Sequence, residues 1–128
     1  MKSEPKLRPF SGNIEELTLN NKNYRQVLST TTNLQLVLMS LLPGQDIGAE
    51  VHPHTSQFIR VESGQGVAVI EGKKYRMNDG DVVVVPAGAN HNIINLSHND
   101  RLQLYAIYSP PEHPPNTLQL TKPKEEHH

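Results

Sequence analysis

Apolar and polar positions alternate along most of this chain in short runs, and the runs are separated by glycine, proline and asparagine. Alternation of that kind belongs to half-buried strands, whose side chains leave opposite faces in turn. Residues 24–31, rich in β-branched and aromatic side chains, read as the first strand. Residues 34–42 are apolar on both parities, Leu34, Leu36 and Leu38 against Val37, Met39 and Leu41. That pattern predicts a strand covered on both sides, by the domain core on one and by another sheet or subunit on the other. Pro43-Gly44 marks a turn, and further strands are predicted over 50–54, 57–62, 67–70, 73–77, 82–85, 91–95 and 101–108. Glu71-Gly72 supplies a tight hairpin turn between two of them. Ile14, Leu17 and Leu19 lack a full helical period, so 13–23 reads as a turn or short strand and no helix is predicted. Eight or nine short strands with Gly and Pro turns describe an all-β barrel or sandwich with a lumen face and an outer face.

The flanks differ in composition. Residues 1–13 read as an N-terminal arm, 14–108 as the barrel domain and 109–128 as a Pro-rich C-terminal tail. Prolines 110, 111, 114, 115 and 123 argue against a ladder or helix in that tail and for an extended segment on the surface. Its final Glu-Glu-His-His is left out of the fold argument. A chain of 128 residues fits one domain with a modest core. The formal charge is −1 with scattered Lys and Arg, so no basic stripe marks a nucleic-acid partner. There are no cysteines, so any metal must be held by nitrogen and oxygen. The start lacks the apolar run of a signal peptide, and 34–42 is too short to span a bilayer, so the expectation is a cytoplasmic protein with no membrane partner.

Candidate chemistry lies in two histidine clusters. His52 and His54 are two residues apart, so on one strand both imidazoles would leave the same face and could share one ion. Gln57 follows a turn and can point its amide oxygen back, and His91 opens a later strand after Pro86 and Gly88. Three imidazoles and one side-chain oxygen make an open site for a first-row transition metal. Asn95 reads as a turn or backbone-bonding residue, Arg60 as a solvated or interface charge, and His98 and His113 as surface residues. Glu62 would turn inward only at a bulge.

These clusters resemble the two motifs of the cupin superfamily. Gly80, Pro86, Gly88, His91 and Asn95 fill every place of the second motif. His52, His54, Gln57 and Gly64 fill the end of the first, with glutamine where the family usually has glutamate. The resemblance, over about residues 34–108, implies a cupin-type jelly-roll β-barrel (a double-stranded β-helix). It implies one divalent transition metal ion (Fe, Ni, Cu, Mn or Zn) ligated by His52, His54, Gln57 and His91. A neutral carboxamide in place of a carboxylate would leave the ion its full double charge and favour anionic or enolisable substrates. The expected function is action on a small molecule as a metal-dependent oxidoreductase of dioxygenase type. The alternatives are a metal-dependent isomerase or lyase of a sugar or keto acid, and a non-enzymatic barrel that binds a metal or small ligand. The doubly apolar strand and the proline-bearing arms suggest a homodimer.

Overall fold

The computed structural model describes residues 8–124, so most of the N-terminal arm and the final Glu-Glu-His-His lie outside the described residues. The strands are β1 (Arg25–Thr30), β2 (Gln35–Leu41), β3 (Glu50–Val51), β4 (Ser56–Ser63), β5 (Gln65–Ile70), β6 (Lys73–Asn78), β7 (Val82–Val85), β8 (Asn90–Asn95), β9 (Leu102–Ser109) and β10 (Leu118–Gln119). They form two antiparallel sheets, ordered β10-β1-β2-β9-β4-β7 and β3-β8-β5-β6, in the jelly-roll arrangement. Among the described residues, no helix is long and apolar enough to cross a membrane.

Residues opposite one another on neighbouring strands share a face, so register turns the alternation of the sequence into layers. One row crosses the larger sheet as Gln35, Tyr108, Gln57 and Val85. The next row is Val37, Ala106, Ile59 and Val83, and below it lie Met39, Leu104 and Val61. In the facing sheet β8 points His91, Ile93 and Asn95 the same way. The interior is therefore apolar in its depth and polar at one rim. That rim is withdrawn from water: Gln35 is 0 % exposed, His91 1 %, Tyr108 2 % and Gln57 3 %.

Asn95, at the other end of β8, is the backbone-bonding residue the sequence suggested. Its Nδ2 lies 3.1, 3.1 and 2.9 Å from the carbonyl oxygens of Leu41, Leu42 and Asp100, and its Oδ1 accepts from Ser97 N–H. One buried carboxamide thus ties the end of β2 to the turn before β9.

Four expectations are corrected. A helix does form, α1 (Ile14–Asn20): Asn13 caps it by accepting from Glu16 N–H, and Glu15 and Glu16 complement the positive end of its dipole. At its other end Gln103 Nε2 reaches three carbonyls, those of Thr18, Leu19 and Asn21, the first of which also accepts from Asn21 N–H. A seven-residue helix needs such tertiary support, which no periodicity in the sequence announces. Leu38 is 2 % exposed within the single chain, with α1 packed against that strand, so it is not an open face awaiting a subunit. β3 stops at Val51 rather than reaching residue 54, because Pro53 has no N–H for a ladder. The tail does join a ladder: β10 pairs with β1, and the Thr117 and Leu120 carbonyls accept from Val27 and Tyr24 N–H, a role the prolines leave untouched. A bulge does occur between Val61 and Ser63, but it sets the Glu62 carboxylate 3.7 Å from Arg60 Nη2 and away from the polar rim.

Removing the Asn95 carboxamide strands buried backbone acceptors. Asn95→Ala is expected to lower unfolding free energy in a denaturant titration by about 1–3 kcal/mol, whereas His98→Ala, at an exposed position, should stay within about 0.5 kcal/mol of wild type.

Candidate metal centre

The polar rim gathers a compact group of ligand atoms. β3 and β8 pair with Glu50 directly opposite His91, which puts their side chains on one face. His52 follows Glu50 by two residues, just past the strand end. One ligand atom from each of Glu50, His52 and His91 lies within 4.8 Å of the others, and the two imidazole centroids are 5.2 Å apart.

A single turn positions both histidines. Ala89 N–H closes it on Pro86 O, with Gly88 at φ +89, a conformation costly for any residue with a Cβ. Gly88 N–H donates to His52 O at 2.8 Å, and Ala89 O lies 3.1 Å from His91 Nδ1. A carbonyl can only accept, so in the neutral His91 ring Nδ1 carries the hydrogen and Nε2 the lone pair.

His52 stands between two carboxylates: its Nδ1 is 3.1 Å from Glu112 Oε2 and its Nε2 is 3.3 Å from Glu50 Oε1. A neutral imidazole has one N–H, so one of those carboxylates must face a lone pair, an arrangement that a cation relieves. His91 Nε2 and Gln57 Oε1 are buried without a hydrogen-bond partner, and buried His52 Nε2 has only the 3.3 Å approach of Glu50, which lacks hydrogen-bond geometry. Buried acceptors left open in this way cost free energy unless something binds them. The donor set, two imidazoles, one carboxylate and a nearby carboxamide, suits a divalent first-row ion.

Of the four ligands expected from sequence, the structure gathers His52 and His91 and places Gln57 on the same buried rim. His54 is apart from them: it sits exposed in the turn at Pro53. The period-two argument for His52 and His54 fails there because the strand has already ended. The pair two residues apart is instead Glu50 and His52. Glu50 was legible only as a strand residue, and the missed signal was its own spacing of two from His52 on the side away from proline.

The tail contributes more than the sequence suggested. Gln35 clamps it across the rim: Oε1 accepts from Glu112 and His113 N–H at 3.1 and 2.9 Å, while Nε2 donates to His113 O at 2.7 Å. His113 is therefore not a free surface residue; its ring packs edge-on to Tyr108 at 5.1 Å. Burial, reinforced by the Arg25 guanidinium and then by His52, lowers the His113 pKa to about 4. Burial also pushes the Tyr108 hydroxyl well above its ordinary range. Arg25 is 8 % exposed, with Nη1 donating to Gln119 Oε1 and its guanidinium over the Tyr24 ring. Further along, Lys122 Nζ donates to Asp46 Oδ1 at 2.9 Å and holds that carboxyl below the usual range.

Residues 37–108 match the sequence profile of the Cupin domain family, more than half of the chain, and the protein belongs to that family. The chain is 43 % identical over 121 residues to the uncharacterized protein YrkC of Bacillus subtilis, covering 90 % of this chain and 64 % of that one. It is 31 % identical over 101 residues to the quercetin 2,3-dioxygenase of the same organism, covering 68 % of this chain and 30 % of that protein. The crystal structure of BH2720 from Bacillus halodurans superposes with a TM-score of 0.87 at 42 % identity, over 91 % of this chain and 92 % of that one. The chain thus spans less than two thirds of the two Bacillus subtilis proteins.

The neutral His113 ring has a pH consequence. Its folded pKa of about 4 lies below the ordinary 6.5, so its contribution to stability is fully present above pH 6.5 and is lost as pH falls toward 4. Acidification from pH 7 to 4.5 should therefore lower the melting temperature of wild type more than that of His113→Asn, read from paired thermal melts.

Proposed function

We propose that this cupin holds one divalent transition metal ion through Glu50, His52 and His91, with the Gln57 carboxamide as a further neutral donor, and acts on a small molecule as a dioxygenase-type oxidoreductase. The observation that carries the reading is the pair of buried Nε2 atoms, neither of them hydrogen-bonded, gathered with the Glu50 carboxylate. Two histidines and one carboxylate with open positions is the donor set of non-haem iron oxygenases. The likeness to a quercetin 2,3-dioxygenase supports the same class, although this chain spans only 30 % of that protein. When bound, the ion would act as Lewis acid and electron conduit between an oxygen-rich substrate and dioxygen.

The chain's own residues set the conditions for that chemistry. Glu50 neutralises one of the ion's two charges, so the centre would carry a single net positive charge rather than the double charge implied by Gln57 alone. Ala89 O keeps the His91 lone pair on Nε2. Tyr108 stays protonated beside the ligands, and the tail across the rim limits water access, which strengthens electrostatic interactions within. His54, exposed in its turn, takes no part.

The outer face of the larger sheet suits a homodimer contact. Val82 and Val84 of β7 are 44 and 61 % exposed, beside Phe58 and Ile107 in the same sheet. Val84→Glu is expected to shift the protein from dimer to monomer in light scattering without changing its far-ultraviolet circular dichroism.

The test of the metal reading is elemental analysis and oxygen uptake on protein reconstituted with Fe(II), Ni, Cu, Mn or Zn. Wild type and His54→Ala should each hold about one ion per chain, while His91→Ala and Glu50→Ala should lose affinity by more than the 10–100-fold typical of outer-shell changes. Turnover that consumes dioxygen with a flavonol or related enediol supports the dioxygenase reading. Oxygen-independent conversion of a sugar or keto acid would replace it with isomerase or lyase chemistry. Metal without turnover would leave a binding barrel, and no metal in wild type would overturn the centre itself.

A further inference from the structure

We propose that Glu112, carried by the C-terminal segment, is the positioning residue of the metal centre, and that docking of this segment and binding of the ion are thermodynamically linked; this rests on the metal reading above. Two histidines must both present Nε2 to one ion, and each then needs an acceptor at Nδ1 to fix its tautomer and ring plane. His91 finds that acceptor locally, in Ala89 O. His52 has none within β3 or the Pro53 turn that follows, and the group 3.1 Å from its Nδ1 is Glu112 Oε2, sixty positions further along the chain. A carboxylate there raises the basicity of Nε2 as well as orienting it, since it stabilises the positive charge that metal ligation draws onto the ring.

The segment is built to hold that carboxylate in place. Gln35 is 0 % exposed and turns most of its carboxamide to residues 112 and 113, accepting two backbone N–H groups and donating to one carbonyl, while Nε2 also donates to Thr30 Oγ1 in the neighbouring strand. The His113 ring anchors on Tyr108, the residue opposite Gln35 in the rim row. Beyond it, β10 pairs with β1, and Arg25 Nη1 donates to Gln119 Oε1. Two prolines on each side of Glu112-His113 stiffen the crossing and reduce the entropy lost when it docks. Glu112 itself keeps a side chain 32 % exposed, so it contributes little apolar packing, and its contact with His52 is its principal tie to the site.

Because the ion favours the docked segment, the docked segment must favour the ion by the same factor. The experiment titrates Co(II), by calorimetry and visible absorption, into the full chain as wild type, Glu112→Ala, Glu112→Gln and the exposed control His98→Ala. Glu112→Ala should weaken Co(II) binding about 10–100-fold with an unchanged metal-free melting temperature. Glu112→Gln should fall between, because its amide oxygen still accepts from Nδ1 but carries no charge. A purely structural role would not move the second readout, amide hydrogen exchange at residues 112 and 113: Zn(II) should slow it in wild type and leave it unchanged in Glu112→Ala. Co(II) bound by Glu112→Ala within twofold of wild type, or exchange at 112 and 113 indifferent to Zn(II) in wild type, would overturn the inference while leaving the metal centre standing. A wild type that binds neither ion would overturn both.

Discussion

The constraint on which this structure depends is a polar rim inside an otherwise apolar barrel. Gln35, Gln57, His52 and His91 are removed from water almost completely, and polar groups so placed must find partners or cost several kcal/mol between them. The molecule meets that demand in two ways. Gln35 is satisfied by Thr30 Oγ1 and by the backbone of the C-terminal segment, contacts that hold a proline-rich stretch across the mouth. His52, His91 and Gln57 keep buried atoms without a hydrogen bond, and the proposed ion would satisfy them.

Economy of positioning follows from the same place. The turn from Pro86 to Ala89 binds His52 through Gly88 N–H and orients His91 through Ala89 O, so one short loop sets the spacing of both imidazoles. Glu50 arrives through strand pairing, opposite His91. The three donors come from two segments, β3 with the residue after it and β8, whose relative placement is held by strand pairing and by the core beneath, Ile59, Val37, Ala106 and Ile93. At the far end Asn95 closes the barrel by satisfying backbone carbonyls, so β8 carries a candidate ligand at one end, a core residue in its middle and a structural lock at the other.

Much of this was legible in the chain itself, because strand alternation is a local property. The period-two runs, the glycine and proline turns and the spacing from Gly80 to Asn95 follow from what each residue allows its own backbone to do, and they sufficed for the all-β class, the cupin family and two members of the candidate cluster, His52 and His91. The same local reasoning misplaced His54, because proline ended the strand before the alternation reached it. It passed over Glu50, whose role appears only when β3 lies beside β8. Helix α1 was invisible for a related reason: its C-terminal carbonyls are satisfied by Gln103, more than eighty positions away. Which polar residues become buried, which carboxylate meets which imidazole, and where the tail lies were decided by the tertiary structure alone, because burial and pairing depend on groups brought together across the fold and not on the neighbours of each residue in sequence.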